Sequence, residues 1–211
     1  MPAQVRRQYA PRVGAARRRE QLLDAALHLA ATEGISSVTM EGVARGAGVT
    51  KPVVYELFPQ RGALYEALIE REELRALQQL RAIVPPEIGA LTAADLVATS
   101  IRALVSAVHE RPDAWTVLLQ APESMPPNMR ARYEQRRAEL VQGVRALIAA
   151  GRRAGRHDSV LDEQLMAESL VAMGELAGRL ALRKPGEFTP DRLAEFCGQV
   201  TAHLLPTQAS S

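Results

Sequence analysis

The sequence predicts an all-α fold, on three observations. No segment sustains the alternation of apolar and polar residues that marks a half-buried strand. Apolar residues recur instead at three- and four-residue spacing. The breaks between these runs carry helix punctuation: Thr or Asp before a run, Gly or Pro after it. About nine helices follow.

Residues 1–14 read as a flexible basic arm. The first helix spans Ala15 to Glu33, where Leu22, Leu23, Ala26, Leu27 and Ala30 form one stripe; Gly34 is expected to cap it in the left-handed conformation. The nearest strand candidate, Ile35 to Met40, is too short to pair with anything evident. Thr39 and Thr50 each read as an N-cap, opening short helices that end near Gly46 and Phe58. A fourth helix runs from about Gly62 to Arg81, before Pro85-Pro86 and Gly89. Thr92 with Asp95 resembles a capping box and opens a fifth. A short sixth covers Asp113 to Ala121, the seventh Pro127 to Ala154 and the eighth Leu161 to Arg183. Thr189-Pro190 starts the ninth, which ends before Pro206 and a frayed tail over 207–211. The expected domains are therefore 15–61 and 62–206.

The chain has 211 residues, and its 47% hydrophobic and 24% charged content is ordinary for a globular protein. Its net charge of +2 is unevenly placed: residues 1–61 hold nine bases and five acids, and the first nineteen hold six arginines and no acid. A basic end on an ordinary protein implies a polyanionic partner. With aromatics at 4%, an RNA-stacking surface is disfavoured. The single cysteine, Cys197, excludes a disulfide framework and a cysteine-built structural zinc site. No apolar run reaches the roughly 20 residues that span a bilayer, and no secretory stretch is present, so a cytoplasmic location away from membranes is expected.

Catalytic chemistry finds little support. His28, His109, His157 and His203 are scattered, with no pair at metal-ligand spacing. The cluster His157, Asp158 and Asp162 reads as an exposed helix entry. Neither G-x-S-x-G nor G-x-x-x-x-G-K-[ST] occurs. No metal, cofactor or enzymatic activity is expected, and an all-helical hydrolase is a weak alternative.

Residues 39–58 read TMEGVARGAGVTKPVVYELF. Two short helices flank Ala47-Gly48-Val49, where glycine permits the positive φ of a tight corner. Ala44 allows a close crossing, and Val43, Val49, Val54 and Phe58 can pack beneath. This is a helix-turn-helix pattern, although an ordinary helical hairpin fits the residues too. In a helix-turn-helix the second helix enters the major groove. Lys51, Pro52 and Val53 would occupy its exposed first turn, with Lys51 reading a guanine edge or a phosphate and Val53 meeting a thymine methyl. The Thr39 and Thr50 hydroxyls suit phosphate binding, plain capping, or both. Arg17, Arg18 and Arg19 crowd a helix N-terminus, where the dipole disfavours cations by roughly 0.3–1 kcal/mol each. A nearby phosphate backbone explains that placement, and Arg6, Arg7 and Arg12 could extend it.

The run AGVTKPVVYELFPQRGALYEAL resembles the signature of the TetR family of bacterial transcriptional regulators, through Ala47, Gly48, Val49, Val54, Tyr55, Phe58, Arg61 and Leu64. The resemblance covers about fifty residues, Arg18 to Leu68, and in the second half is one of architecture. It implies a DNA-binding regulator, a repressor released by a small effector, acting as a homodimer on a near-palindromic duplex. It implies that Tyr55 contacts phosphate, where an aromatic could otherwise be core, and that Arg61 reaches the DNA backbone. Leu57 departs from the polar residue common there, so a phosphate contact is lost or Leu57 packs on the fourth helix. Glu56 faces solvent or Arg61.

In the family, helices 5 to 8 enclose an effector pocket. Candidates here are Trp115, Leu118, Leu119, Met125, Met129, Tyr133, Met166, Leu170 and Met173, with His109, Arg136 and Glu175 as polar groups; any of them could instead be core. Methionines suit an adaptable apolar cavity and a hydrophobic ligand. Ala167, Val171, Gly174, Gly178 and Ala181 share one face of the eighth helix, which another helix must approach closely. With Leu193, Phe196 and Val200 this face is assigned to the dimer interface that the resemblance implies, over packing within the chain against the fifth or seventh helix. An effector-independent DNA binder is the remaining alternative.

Overall fold

The computed structural model describes residues 14–83, 91–119, 127–157 and 160–205. The arm with Arg6, Arg7 and Arg12, the Pro85-Pro86 and Gly89 break, Met125, Asp158, the 207–211 tail and the side chain of Met129 lie outside the described residues. Nine α-helices and one 3-10 turn, and no strand, occur among those described. They fall into two compact units that divide at Leu68/Ile69.

The first unit opens with α1 (Ala15–Glu33), whose Leu22, Leu23, Ala26 and Ala30 are buried. Gly34 follows at φ 86°, ψ 162°. The positive φ was expected, but the extended ψ corrects the left-handed cap to a backbone region that is essentially glycine's alone. The chain thereby turns into a 3-10 turn, Ile35–Ser37, which replaces the strand candidate. Helix α2 (Met40–Gly46) is capped by Thr39, whose Oγ1 accepts from the Gly42 N–H at 3.0 Å. Gly48, at φ 65°, makes the corner into α3 (Lys51–Leu57). Val38, Val43, Val54, Phe58, Leu64 and Leu68 close this core with 2% exposure or less. Gln21 ties α1 to the corner, its Nε2 donating to the Ala47 carbonyl at 2.6 Å.

Helix α4 (Arg61–Ile83) contains the division. The boundary expected after residue 61 shifts to Leu68 because Leu64, Tyr65 and Leu68 are buried in the first core. The Tyr65 hydroxyl donates to the Ile35 carbonyl.

The second unit holds the rest of α4 with α5 (Ala93–Glu110), α6 (Pro112–Leu118), α7 (Pro127–Arg153), α8 (Glu163–Arg183) and α9 (Pro190–Leu204). Thr92, Asp162 and Thr189 cap α5, α8 and α9 by accepting from the N–H three residues on. One core gathers Ile101, Val105, Val108, Trp115, Ala177, Ala181, Leu193 and Cys197. A second gathers Val141, Ile148, Met166, Ala167, Val171 and Leu205. Helices α5 and α9 approach closely at Gly198, where a Cβ would stand 3.1 Å from the Ala98 Cβ.

A carboxylate cluster braces α4 within this unit. Glu72 is wholly buried and pairs with Arg71 at 2.8 Å, with Arg75 at 3.5 Å and with Arg111 at the α5–α6 corner. Its neighbour Glu73 pairs with Arg136 at 3.1 Å and Arg132 at 3.8 Å, both on α7.

Candidate nucleic-acid interface

Helix α3 is seven residues long, too short to be stable alone, so its orientation comes from packing. Val54 and Phe58 are buried beneath it, which turns the opposite side to solvent. Thr50, Lys51, Pro52 and Tyr55 are exposed there, and Val53 is half-buried. Tyr55 is 45% exposed. An exposed aromatic on a helix anchored by two buried apolar residues is available to a partner. Glu56 is exposed, and Leu57 is half-buried.

The two threonines differ. Thr39 is engaged as a cap, whereas the Thr50 hydroxyl makes no capping bond. Lys51 meets a carboxylate: its Nζ donates to Glu41 in the first turn of α2. That bond holds the Glu41 carboxyl below its ordinary pKa and raises that of Lys51. The same ammonium stands 5.8 Å from the Tyr55 ring centre.

The arginines also separate. Arg17 is exposed. Arg18 donates to Gln21 Oε1 at 2.7 Å, and so supports the strut from α1 to the corner. Arg19 lies over the Phe58 ring at 5.0 Å. Arg61 was expected to reach the DNA backbone, but its guanidinium donates to the Ser36 carbonyl at 3.0 Å and the Tyr65 hydroxyl at 2.9 Å, and covers the Tyr65 ring. It thus clamps the turn before α2. Arg45, exposed in the last turn of α2, has no partner among the described residues. Sequence reasoning passed over it, because a cation at a helix C-terminus is explained by the dipole alone.

The second-unit candidates are only partly brought together. Trp115 is core, with Leu118, Leu119 and Met173 packed against it. Met166 and Leu170 belong to the other cluster. The Tyr133 hydroxyl lies 3.1 Å from Glu175 Oε1, which also accepts from Arg137 Nε at 3.1 Å. Burial and this carboxylate raise the Tyr133 pKa. Arg136 is taken by Glu73, and His109 is exposed. His157 is buried rather than at an exposed entry, its Nε2 3.1 Å from the Ile148 carbonyl.

The small-residue stripe on α8 is corrected. Ala167, Val171, Gly178 and Ala181 are buried within the chain, and Gly174 faces Ile101 and Leu104 of α5. Leu193 is likewise core at 6% exposure. The neighbour met by Gly178 is therefore internal, the Leu119 side chain, and the buried Ala167, Val171, Gly178, Ala181 and Leu193 pack within the chain, whereas Gly174 is half-buried with ordinary contacts to α5. Phe196 is 61% exposed and lies on one exposed strip of α9 with Gln199, Val200, His203 and Leu204. Leu165 and Leu176 are the exposed leucines of α8.

A short exposed helix set on buried valine and phenylalanine, behind a glycine corner and a capped first helix, defines a helix-turn-helix transcription regulator. Residues 22–68 match the family described as bacterial regulatory proteins, tetR family, and residues 90–205 match the tetracyclin repressor-like C-terminal domain. The chain belongs to the TetR family. It is 28% identical over 166 residues to the nucleoid occlusion factor SlmA of Vibrio atlanticus, covering 77% of this chain and 82% of that one. It is 36% identical over 64 residues to SlmA of Haemophilus ducreyi, covering 30% and 32%. Among solved structures, a TetR-like transcriptional regulator from Rhodococcus sp. RHA1 superposes with a TM-score of 0.71 at 23% identity, covering 90% of this chain and 96% of that one. The SmeT–triclosan complex does so with a TM-score of 0.68 at 18% identity, covering 92% and 93%. Among the described residues no helix is long and apolar enough to cross a membrane, and no group of three or more His, Cys, Asp or Glu could hold a metal ion.

Proposed function

We propose that this regulator is a homodimeric repressor that reads a near-palindromic duplex with α3 and is released by a small apolar effector. The observation that carries the reading is the solvent-facing side of α3, where Tyr55, Lys51 and Thr50 stand exposed over the buried Val54 and Phe58. Two such helices, one from each copy, would enter successive major grooves about 34–36 Å apart. Arg17, Arg45 and the hydroxyls of Thr50 and Tyr55 are the groups disposed to meet phosphate. Phe196 and Val200 on α9, with Leu165 and Leu176 on α8, are the apolar residues available to a second copy.

The effector is proposed to lodge near Trp115, Leu118, Leu119 and Met173, where half-buried apolar side chains adjoin the core. SmeT, which shares the fold, is the protein of the triclosan complex. A ligand there can release DNA only by its differential affinity for the bound and released states. A second reading, a DNA binder that no small molecule releases, is kept beside it, since the chain matches proteins named nucleoid occlusion factor over 77% of its length and that name states no ligand.

Selection of sites from random duplex DNA tests the first claim. An enriched inverted repeat, bound with a steep salt dependence, is expected. Recovery of no preferred sequence would overturn it. A screen of apolar compounds against that complex separates the two readings, since only the first expects a compound that dissociates it.

A further inference from the structure

Glu41 and Lys51 lie ten residues apart, on different helices, yet the corner at Ala47–Val49 brings their charged ends together. Both are exposed, with 62% and 45% of their side-chain surfaces open, on the side that carries Thr50 and Tyr55. A carboxylate on a surface that meets polyanionic DNA is repelled by it, unless its charge is cancelled or used. Here it is cancelled by the one lysine among residues 1–68. An ammonium already paired with a carboxylate releases no counterion on reaching a phosphate, which is the source of most non-specific affinity. Lys51 is further steadied over the Tyr55 ring. The pair offers donors from Lys51 beside acceptors from Glu41. A G·C pair presents the complement in the major groove: guanine O6 and N7 accept, and the cytosine N4 amino group donates.

We propose that Glu41 is a specificity-determining residue, which withholds Lys51 from the phosphates and presents with it a donor–acceptor pair to a G·C edge. This rests on the placement of α3 in the major groove. It makes Glu41 a brake on indiscriminate binding as well as a reader.

The test compares full-length wild type, Glu41→Gln, the double variant Glu41→Gln/Lys51→Met and the swap Glu41→Lys/Lys51→Glu, on the selected site and on random duplex, from 50 to 200 mM KCl. On random duplex, Glu41→Gln should bind more tightly, with the slope of log K against log salt steeper by about 0.9, an extra loss of about 3.5-fold across that range. Its preference for the selected site should fall by about fivefold or more. The double variant Glu41→Gln/Lys51→Met should lose the preference too, but leave the random-duplex slope unchanged, because the pair's net charge of zero is kept. The swap restores the ion pair and the wild-type slope, while the preference stays lost because donor and acceptor have changed places. A pair with a merely structural role would instead be rescued in both readouts.

An unchanged slope and preference in Glu41→Gln would overturn the proposal. So would a slope flattened by about 0.9 in Glu41→Gln/Lys51→Met, which would make Lys51 an ordinary phosphate clamp. A wild type that prefers no sequence would overturn the placement of α3 instead, so the two failures are distinguishable.

Discussion

Leu119 occupies the space that a side chain on Gly178 would need. A Cβ there would stand 2.5 Å from the Leu119 Cδ1. At Gly174 the nearest atoms to an added Cβ are Ile101 Cδ1 at 3.9 Å and Leu104 Cδ2 at 4.0 Å, ordinary packing distances. The two glycines, one turn apart on α8, therefore answer differently to the same change. Gly178→Ala requires the half-buried Leu119 side chain to rotate away, at about 0.5–1.5 kcal/mol, which offsets the helix-propensity gain and leaves the variant no more stable than wild type. Gly174→Ala should be neutral or stabilising by roughly 0.5–1 kcal/mol, from helix propensity. Urea denaturation of the two variants checks this, and equal losses would contradict the distances.

Assembly is expected to depend on α9 instead. Phe196 is exposed, so Phe196→Glu adds no charge to the core of the chain. It should shift sedimentation from dimer to monomer while the helical circular dichroism is retained. A variant that still sediments as the wild type would move the interface elsewhere.

Tyr55→Phe removes one exposed hydroxyl and leaves the ring in place. Its melting temperature should match the wild type within a degree or so, since surface changes of this kind stay within about 0.5 kcal/mol. Its affinity for the selected duplex should fall by about tenfold, the worth of a hydrogen bond to a charged phosphate. Gel-shift titration at fixed salt measures it, and an unchanged affinity would take Tyr55 off the interface.

Glu72 is the wholly buried carboxylate that Arg71, Arg75 and Arg111 surround. Glu72→Ala removes a shared, wholly buried acceptor, at a cost of about 1–3 kcal/mol. Calorimetric unfolding should show it as a marked fall in melting temperature. A loss below 1 kcal/mol would mean that the arginines find water readily.

Glu73 has a pKa above its ordinary 4.5, because its desolvation outweighs the attraction of Arg136 and Arg132. The folded chain thus holds this proton to higher pH than the unfolded chain does. The stability contributed is fully present below about pH 4.5 and is lost as pH rises through the folded value. Glu73→Gln carries no such titration. Its stability relative to wild type should therefore improve as pH rises from 4 towards 7, in chemical denaturation at each pH. A constant difference would contradict the direction of the shift.

The helices were legible because their ends are local chemistry. Thr39, Thr92 and Thr189 cap the helices whose starts they marked, and the Val54–Phe58 spacing revealed which side of α3 is buried. What stayed hidden depends on partners far along the chain. The α8 stripe announced a close neighbour but could not say whose, and at Gly178 the answer is Leu119 of the same chain. Glu72 looks like any helix-surface glutamate until Arg111, 39 residues away, is set beside it. Arg61 carried the right charge for DNA, yet the carbonyls of Ile35 and Ser36 lie within its reach. The Glu41–Lys51 pair also needed the corner angle, which no spacing encodes.

The pairing of Lys51 has a practical consequence. Residues 1–68 contain many guanidinium groups but one side-chain amine, and Lys184 is the chain's other lysine. Amine-directed acylation followed by peptide mass spectrometry would therefore give a single-residue footprint of the reading head. Lys184 would serve as the internal standard.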